Sequence, residues 1–408
     1  MGVPVQYNVR NLVERKGTTL MTAIGIGLTV AVLVVALALT AGLQRVFAGS
    51  GDPRQFLVLR KGVDAELSST VSGETYQIVR RLPGIAKTAE GEPMVSPEAI
   101  TVVNLPSVDS PEGMNISVRG MLPIGLSMRD VEIQSGKMFA PGLRQVIVGE
   151  SVARRYPSAR LGNQIRFGRG MWEVVGVFTS GESAANSEMW TDLNQLRGDF
   201  EQEGGSNSLL IRADIATDEA QRQIATAEKA TTDKNVVEPA FLKAFGIADD
   251  QRLNANVMGE KKYYAGMSSS GAPLQALGFS VAVIMAIGSG FAATNTMYAA
   301  VARRSREIGT LRALGFGRFA ILRSFVLESV CLALIGGVVG ILLALPINGL
   351  TTGVGNFSTF SEVAFQFRID WTAAVAGLLF ATLIGVIGGL LPAWAAARTG
   401  IVAAMREG

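Results

Sequence analysis

The chain has 408 residues, of which 48% are apolar and 17% are charged, and its mean hydropathy is +0.32. It contains no histidine and one cysteine, Cys331, which excludes histidine-based catalytic triads, histidine-ligated metals and an intrachain disulfide. A net charge of +3 is too small for nucleic-acid binding as a main role. Apolar excess together with 47 glycines is typical of membrane helices, in which small residues let backbones approach closely.

The amino-terminal residues predict a short amphipathic helix. Four apolar side chains recur at helical spacing and form one stripe: Val5, Val9, Leu12 and Val13. We expect residues 1–17 to lie on the cytoplasmic face of the membrane as an interfacial helix. The alternative is a frayed tail.

Four stretches lack charged residues for longer than the roughly 20 residues that a bilayer requires. They predict transmembrane helices over residues 18–43, 274–302, 325–345 and 371–397. The first stretch has an apolar run of about 26 residues, against the roughly 7–15 of a signal peptide. We therefore interpret it as an uncleaved membrane anchor.

The distribution of arginine predicts how these spans are oriented. The segment Arg303–Arg323 holds six arginines against one acid, Glu307. Because short loops rich in Lys and Arg stay in the cytoplasm, this loop and both termini should face inside, including the tail 398–408. The loop 346–370 and the long segment 44–264 should then face outside.

The long segment 44–264 predicts an independently folded extracytoplasmic domain. It mixes short helical patterns with seven short strand patterns, at residues 55–60, 99–104, 115–120, 145–149, 164–167, 171–178 and 208–212. From residue 239 to 264 the pattern is helical and returns toward the membrane. The predicted fold class is an α-helical membrane protein with four transmembrane helices and a large α/β domain inserted between the first and second.

The cytoplasmic loop 303–323 carries apolar residues among its arginines. Ile308, Leu311 and Leu314 are three residues apart and would form one stripe of a short helix, which glycines at 315 and 317 would end. A small helix of this kind can fit into a groove of a partner protein. An ordinary turn, whose arginines only set the topology, is the alternative reading of the same residues.

Within the spans, one acid and several small residues predict helix packing. Glu328 should anchor the third span by pairing with Arg323 or Arg398, or by reaching the inner interface. Three pairs of small residues would permit close helix contacts: Gly336 with Gly340, Gly385 with Gly389, and Ala286 with Gly290.

Several runs of sequence resemble a known family. The FtsX-type permease domain of MacB-like ABC transporters is similar to RREIGTLRALG, FVLESVCLALIGGVVGILLA and LLPAWAAAR. The periplasmic core domain of the same proteins is similar to QVIVGESVARRY, LGNQIRF and WEVVGVF. The resemblance implies a permease of the mechanotransmission type, which couples ATP hydrolysis in the cytoplasm to movement of an extracytoplasmic domain during export or extraction of a substrate.

The resemblance also implies residue roles. It assigns contact with an ATPase to nine residues of the cytoplasmic loop: Arg304, Glu307, Ile308, Gly309, Leu311, Arg312, Ala313, Leu314 and Gly315. The residues of the spans themselves, and not the resemblance, predict membrane packing for Glu328, Gly336, Gly340, Gly385 and Gly389. No catalytic residue and no metal ligand are expected, and the resemblance does not identify a substrate or the residues that bind one.

No GxxxxGK[ST] phosphate-binding loop occurs, since Gly136-Lys137 is followed by Met138. The chain therefore resembles stand-alone permease subunits of the DevC-like or LolC/LolE-like kind, which are not themselves enzymes and carry no cofactor. The expected partners are a separate ABC-type ATPase that binds ATP and Mg, a second identical or similar permease, membrane lipid and a periplasmic adaptor. The expected location is the cytoplasmic membrane of a bacterium. The alternative function is an FtsX-like signalling subunit that regulates a cell-wall hydrolase.

Overall fold

The computed structural model describes residues 16–108, 110–202, 204–230, 239, 245–247, 250, 253–268, 272–356 and 359–398. Most of the predicted interfacial helix and all but the first residue of the predicted tail lie outside the described residues. The chain divides into two units. The helical unit comprises Met1–Gly42, Gly271–Leu350 and Gln366–Gly408, and the sheet unit comprises Leu43–Ser270 and Thr351–Phe365.

The elements of the first half, in chain order, are α1 (Lys16–Gly49), β1 (Gln55–Arg60), β2 (Val71–Ser72), α2 (Gly73–Val79), β3 (Val95–Leu105), β4 (Met114–Met121), α3 (Pro123–Ser127), β5 (Glu132–Gly136), β6 (Gln145–Gly149), α4 (Glu150–Arg155), β7 (Gln164–Phe167), β8 (Gly170–Thr179) and β9 (Glu188–Asp192). Those of the second half are α5 (Leu193–Phe200), β10 (Gly205–Ser206), β11 (Ser208–Arg212), α6 (Thr217–Ala230), β12 (Ala255–Gly259), α7 (Glu260–Ser268), α8 (Ala272–Arg303), α9 (Ser305–Ala313), α10 (Arg318–Ala344), β13 (Thr351–Gly355), β14 (Glu362–Gln366) and α11 (Trp371–Arg398).

Among the described residues, four helical stretches are long and apolar enough to cross a membrane, and they contain α1, α8, α10 and α11. The second stretch, Glu260–Arg303, has 44 residues. At about 1.5 Å per residue it would measure roughly 66 Å, about twice the hydrocarbon thickness of a bilayer. Because its first turn carries Glu260, Lys261 and Lys262, we assign the membrane span to α8 and not to α7.

Glycines let the helices of the helical unit pack with their backbones in contact. A side chain at Gly336 would lie 2.8 Å from the carbonyl oxygen of Ala23, and one at Gly340 would overlap the carbonyl of Gly27. Helices α1 and α10 therefore cross at these two positions. On the other side of α10, the Ser329 hydroxyl donates to the carbonyl of Gly385 over 2.7 Å, where α11 packs closely.

Ten strands of the sheet unit form one mixed sheet, in the order β12-β1-β11-β3-β4-β9-β6-β8-β5, with β7 paired to β8 outside this path. Strand β4 runs parallel to β9 and β6 runs parallel to β8, whereas β1 and β11 are antiparallel. Continuous apolar runs such as those of β1 and β6 suit strands that are buried on both faces.

Large aromatic residues fill the core of the sheet unit. The rings of Phe167 and Trp172 stack with centroids 4.8 Å apart, and those of Phe178 and Trp190 with centroids 4.3 Å apart. A further apolar cluster surrounds Phe56 at the other end of the sheet. The α/β domain and the four apolar helices confirm the predicted fold class.

The helical pattern predicted for residues 239–264 is wrong in part. Residues Ala255–Gly259 form strand β12, which pairs with β1, and the following helix begins only at Glu260. The strand lies at an edge of the sheet and its side chains are half-buried, so its sequence lacks the apolar run of the central strands.

The exposed positions allow a test of the predicted topology. In a Cys331→Ser background, a membrane-impermeant maleimide should label Leu143→Cys in intact cells, because this side chain is 50% exposed on the sheet unit. It should label Thr310→Cys, an exposed position of α9, only after permeabilisation. Labelling of position 310 in intact cells would reverse the orientation.

Candidate functional site

The arginine-rich loop 303–323 contains a short helix with a well-defined end. Helix α9 spans Ser305–Ala313, and Gly315 follows with φ +94°, a conformation that favours glycine. The Gly315 N–H donates to the carbonyl of Arg312 and the Phe316 N–H to that of Leu311, each over 3.1 Å. This pair of bonds is the Schellman arrangement that closes a helix. The second glycine, Gly317, caps the start of α10 rather than the end of α9.

The predicted apolar stripe of this helix is divided between two directions. Ile308 is 2% exposed and packs with Met297, Ile321 and Phe325, whereas Leu314 is 73% exposed. With 3.6 residues per turn, positions three apart differ by about 60° and positions six apart by about 120°. Ile308 and Leu314 therefore face different surroundings.

The other predicted coupling residues are also divided. Arg304 and Gly309 are buried with Ile308, Leu311 and Arg312 are half-buried, and the exposed members are Glu307, Ala313, Leu314 and Gly315. A further apolar side chain, Phe319 at the start of α10, is 79% exposed. The sequence pattern did not identify Phe319. An aromatic residue directly after Arg318 in a basic loop could nevertheless have indicated a contact with a partner protein.

The predicted partners of Glu328 are wrong. Its carboxylate pairs with Arg304, whose Nη1 lies 2.9 Å from Glu328 Oε2, and both side chains are buried. Arg398 instead lies over the ring of Trp394, 3.8 Å from its centroid. Arg304 directly follows α8, and the turn there brings its guanidinium back against α10. The pair therefore fixes the start of α9 within the helical unit.

A second group of contacts lies in the sheet unit, where strands β13 and β14 form a hairpin. Arg155 at the end of α4 places Nη2 2.6 Å from Glu362 Oε1 in β14. The Tyr156 hydroxyl donates to the other carboxylate oxygen of Glu362. Gly353 in β13 leaves room for this arrangement, because a side chain there would overlap the carboxylate and the guanidinium.

Neutral hydrogen bonds extend the attachment of this hairpin. The Ala364 N–H donates to Ser187 Oγ over 2.8 Å, and Ser117 Oγ donates to Ser361 Oγ over 2.9 Å. The Asn115 side-chain amide donates to the carbonyl of Phe360 over 3.0 Å. The hairpin therefore binds to β4, to α4 and to the segment before β9. We refer to Arg155, Tyr156 and Glu362 as the hairpin anchor.

Sequence reasoning missed the hairpin anchor. Arg155 and Tyr156 lie in the run QVIVGESVARRY, which carries the family resemblance, and Glu362 lies in the loop 346–370, for which no strand was predicted. The run Glu362–Gln366, with its β-branched and aromatic residues, is a signal that would have predicted the second strand. Nothing local predicts that its partner lies about 200 residues earlier.

Comparison with known protein families gives a match in the sheet unit and a match in the helical unit. Residues 19–227 match the MacB-like periplasmic core domain, and residues 279–401 match the FtsX-like permease C-terminal domain. The uncharacterized ABC transporter permease YknZ of Bacillus subtilis is 26% identical over 418 residues, and the match covers 98% of each chain.

Two further similarities are partial. The macrolide export ATP-binding/permease protein MacB of Shewanella oneidensis is 25% identical over 385 residues, which cover 86% of this chain and 55% of that protein. The chain thus spans about half the length of that relative. A crystal structure of the extracellular domain of the noncanonic ABC-type transporter YknZ covers 50% of this chain and 100% of its own, with 15% identity and a TM-score of 0.33.

The hairpin anchor generates a stability prediction. Arg155→Met leaves the buried Glu362 carboxylate without its cation, which should destabilise the sheet unit by about 3–5 kcal/mol. The double variant Arg155→Met/Glu362→Leu should recover most of this loss. Thermal unfolding of the purified chain in detergent, followed by tryptophan fluorescence, measures both.

Arg154→Met is the matched control, because Arg154 is the neighbouring arginine and its side chain is 56% exposed. We expect a change within about 0.5 kcal/mol for it. Equal unfolding temperatures for Arg154→Met and Arg155→Met would show that the anchor does not stabilise the hairpin.

The matches to family models cover both the sheet unit and the carboxyl-terminal helices, and the periplasmic core model alone covers just over half of the 408 residues. The chain therefore belongs to the family of MacB-like and FtsX-like ABC transporter permeases of bacterial membranes.

Proposed function

We propose that the chain is the permease subunit of an ABC transporter that works by mechanotransmission. A separate cytoplasmic ATPase binds ATP and Mg and moves helix α9, and the membrane helices pass this movement to the sheet unit outside. The observation that carries the proposal is the hairpin anchor, because it ties the loop between two membrane spans firmly into the sheet unit.

The order of elements along the chain supports such a path. Helix α10 begins five residues after the end of α9 and ends seven residues before β13. Its 27 residues measure roughly 40 Å, enough for a single rigid rod across a bilayer. The Arg304–Glu328 pair holds α9 to this helix near its start. Movement of α9 is therefore passed along α10 to the hairpin.

The composition of α10 and α11 supports movement of a domain rather than passage through a polar pore. From Phe325 to Ala344, Glu328 is the one charged residue of α10, and it is paired. From Trp371 to Ala397, α11 contains no charged residue. A hydrophilic channel would require polar side chains along these helices.

The proposed location is the cytoplasmic membrane, with both termini and α9 inside. The proposed assembly is a dimer with an identical or similar permease, together with the ATPase and a periplasmic adaptor. The substrate is one that the sheet unit handles outside the membrane.

The surface offered to the ATPase differs from the predicted stripe. Leu314 and Phe319 are exposed on either side of Gly315, next to the exposed cations Arg306 and Arg318. An apolar pair with basic neighbours suits a groove with an apolar floor and acidic rim. Ile308 instead belongs to the packing of the helical unit.

This distinction can be tested on the complex. Leu314→Asp would place a carboxylate in the apolar groove, at a cost of several kcal/mol. We expect co-purification of the co-expressed ABC ATPase and permease-stimulated ATP hydrolysis to fall at least about tenfold. Ile308→Ala should lower the unfolding temperature of the permease by creating a cavity, worth about 2–5 kcal/mol, while folded protein still binds the ATPase.

Leu143→Asp is the control, since it makes the same change at an exposed leucine of the sheet unit. It should leave ATPase binding and stimulated hydrolysis unchanged. Normal coupling in a well-folded Leu314→Asp permease would contradict the proposed contact and favour a loop that only sets topology.

A further inference from the structure

The sheet unit contains a buried ionic cluster that is separate from helix α9 and from the hairpin anchor. It consists of two arginines and four glutamates, whose side chains are at most 12% exposed: Arg119, Arg129, Glu66, Glu98, Glu188 and Glu260. Its members come from β3, β4, β9, α7 and two connecting segments, so the cluster joins parts of the chain that are far apart in sequence.

Arg119 is fully engaged at the centre of the cluster. Its two terminal nitrogens donate to both carboxylate oxygens of Glu66, at 2.9 and 3.0 Å. Nε and Nη2 donate to Glu188 at 3.0 and 3.1 Å, and Nη1 also donates to Glu98 at 2.6 Å. All five of its N–H donors therefore face carboxylates.

Glu260 is held less tightly than the other acids. Arg129 Nη2 donates to both oxygens of Glu98, at 2.8 and 2.6 Å, but its Nη1 lies 3.3 Å from Glu260 Oε1. The other oxygen of Glu260 accepts the backbone N–H of Asp52 over 3.0 Å. Glu260 thus shares a cation that already binds Glu98 bidentately.

The charges of the cluster do not balance. If all four glutamates were ionised, two guanidinium groups would face four carboxylates, which leaves two negative charges in excess. Buried carboxylates that outnumber their cations take up protons, because burial and mutual repulsion both oppose full ionisation.

The surroundings of two members shift their pKa values in opposite directions. Burial alone would raise the pKa of Glu66, but Arg119 and the Ser208 hydroxyl hold that pKa below its usual value. Burial raises the pKa of Glu260, and the Glu98 carboxylate adds to this rise, against the opposing effects of Arg129 and the Asp52 N–H. Of these two acids, Glu260 is therefore the one that accepts a proton first as the pH falls.

Two cations and one acid outside the cluster also lie near Glu260. Asp52 pairs with Arg54 at 3.1 Å and lies 3.7 Å from Arg212, which also donates to the carbonyl of Met128 at 2.7 Å. The remaining positive charge of Arg212 attracts the Glu260 carboxylate and offsets part of the excess negative charge. Burial raises the pKa values of Tyr263 and Tyr264 well above the ordinary value, so both stay neutral. The remaining groups are exposed to solvent: Asp130, Glu182 and Lys261.

Glu260 also occupies a particular place in the chain. It is the first residue of α7, the helix that leads toward the span α8, and Asp52 lies three residues after the end of α1. Gly51, with φ +79°, packs so closely that a side chain there would lie 3.1 Å from Glu260 Cγ. Glu260 therefore joins the segment that leaves the first span to the helix that leads to the second.

A cavity of about 690 Å³ gives water access to this contact. Its lining includes Asp52, Arg129, Glu188, Glu260 and Tyr264. Protons can therefore reach Glu260 although its side chain is only 4% exposed.

We propose that Glu260 is a proton-dependent clasp between α7 and the segment after α1, which is most stable when Glu260 carries a proton. The proton removes one of the two excess charges, while Oε2 still accepts the Asp52 N–H. When α7 moves away, Glu260 enters water, regains its ordinary acidity and releases the proton. The inference goes beyond the proposed function, since it concerns the sheet unit alone and requires neither ATPase nor substrate.

The direction of the pH effect follows from linkage. A carboxyl group whose pKa is raised in the closed state stabilises that state fully below its ordinary pKa, near 4.3, and loses this contribution as the pH rises through the raised value. Opening of the clasp should therefore increase with pH in that window, by up to about tenfold per pH unit for one proton.

Cysteine labelling of the full-length chain measures this opening. Met267 in α7 is 5% exposed, so a Met267→Cys thiol in a Cys331→Ser background reacts with a maleimide only when the helix moves. Ala265→Cys, an exposed position of the same helix, corrects for the effect of pH on thiol reactivity. We expect the ratio of the two rates to rise between pH 5 and pH 8, and to be independent of pH in the Glu260→Gln background.

Asp130→Asn is the matched control, because it removes an exposed acid that lines the same cavity. In this variant the labelling ratio should rise with pH as steeply as in the parent chain. A flat or falling ratio in the parent, including no labelling of Met267→Cys at any pH, overturns the proposal. An unchanged slope in Glu260→Gln overturns it as well.

A second measurement needs no label. The unfolding temperature of Glu260→Gln should exceed that of the parent chain by a margin that grows as the pH rises from 5 to 8. A margin that is constant over this range would show a structural role without proton linkage, and it would contradict the clasp.

Discussion

A buried ion pair between Arg155 and Glu362 holds the hairpin that connects α10 to α11, and the proposed mechanism depends on it. The two charges are removed from water, so the pair is stable only because the guanidinium, the Tyr156 hydroxyl and the carboxylate are all in contact. Such an attachment resists sliding, since any displacement of the hairpin would leave a buried charge without its partner. A movement that reaches the hairpin is therefore passed to the sheet unit rather than absorbed by a flexible loop.

A second buried pair, Arg304 with Glu328, plays the corresponding part in the helical unit. It fixes the start of α9 to α10 within a largely apolar set of helices, whose glycines bring the backbones of α1, α10 and α11 into contact. Close packing of this kind leaves few loosely packed contacts along α10. The two pairs lie in segments that one continuous helix connects, and this arrangement suits the transmission of force better than the formation of a polar pore.

Local patterns in the sequence predicted the four spans and seven of the ten strands of the main sheet, because a long apolar run and a strand with two buried faces are properties of neighbouring residues. Contacts between distant segments could not be predicted in this way. The partner of Glu328 depends on the turn after α8, and the outward direction of Leu314 depends on a rotation of about 120° relative to Ile308. The hairpin anchor and the cluster around Arg119 each join residues separated by long stretches of chain, so only the folded structure brings them together.

The central claim is that nucleotide-driven movement reaches the sheet unit through the hairpin anchor. It is tested most directly by pulsed electron resonance on the permease–ATPase complex in lipid nanodiscs, with spin labels at Leu143→Cys and Trp371→Cys, both at exposed positions, in a Cys331→Ser background. We expect the distance distribution to change between the nucleotide-free and ATP-bound states. In folded complexes of the Arg155→Met variant, which leaves the buried Glu362 without its cation, the change should be lost while ATPase binding persists. An unchanged distance in the parent complex, or the same change without the anchor, would contradict the account.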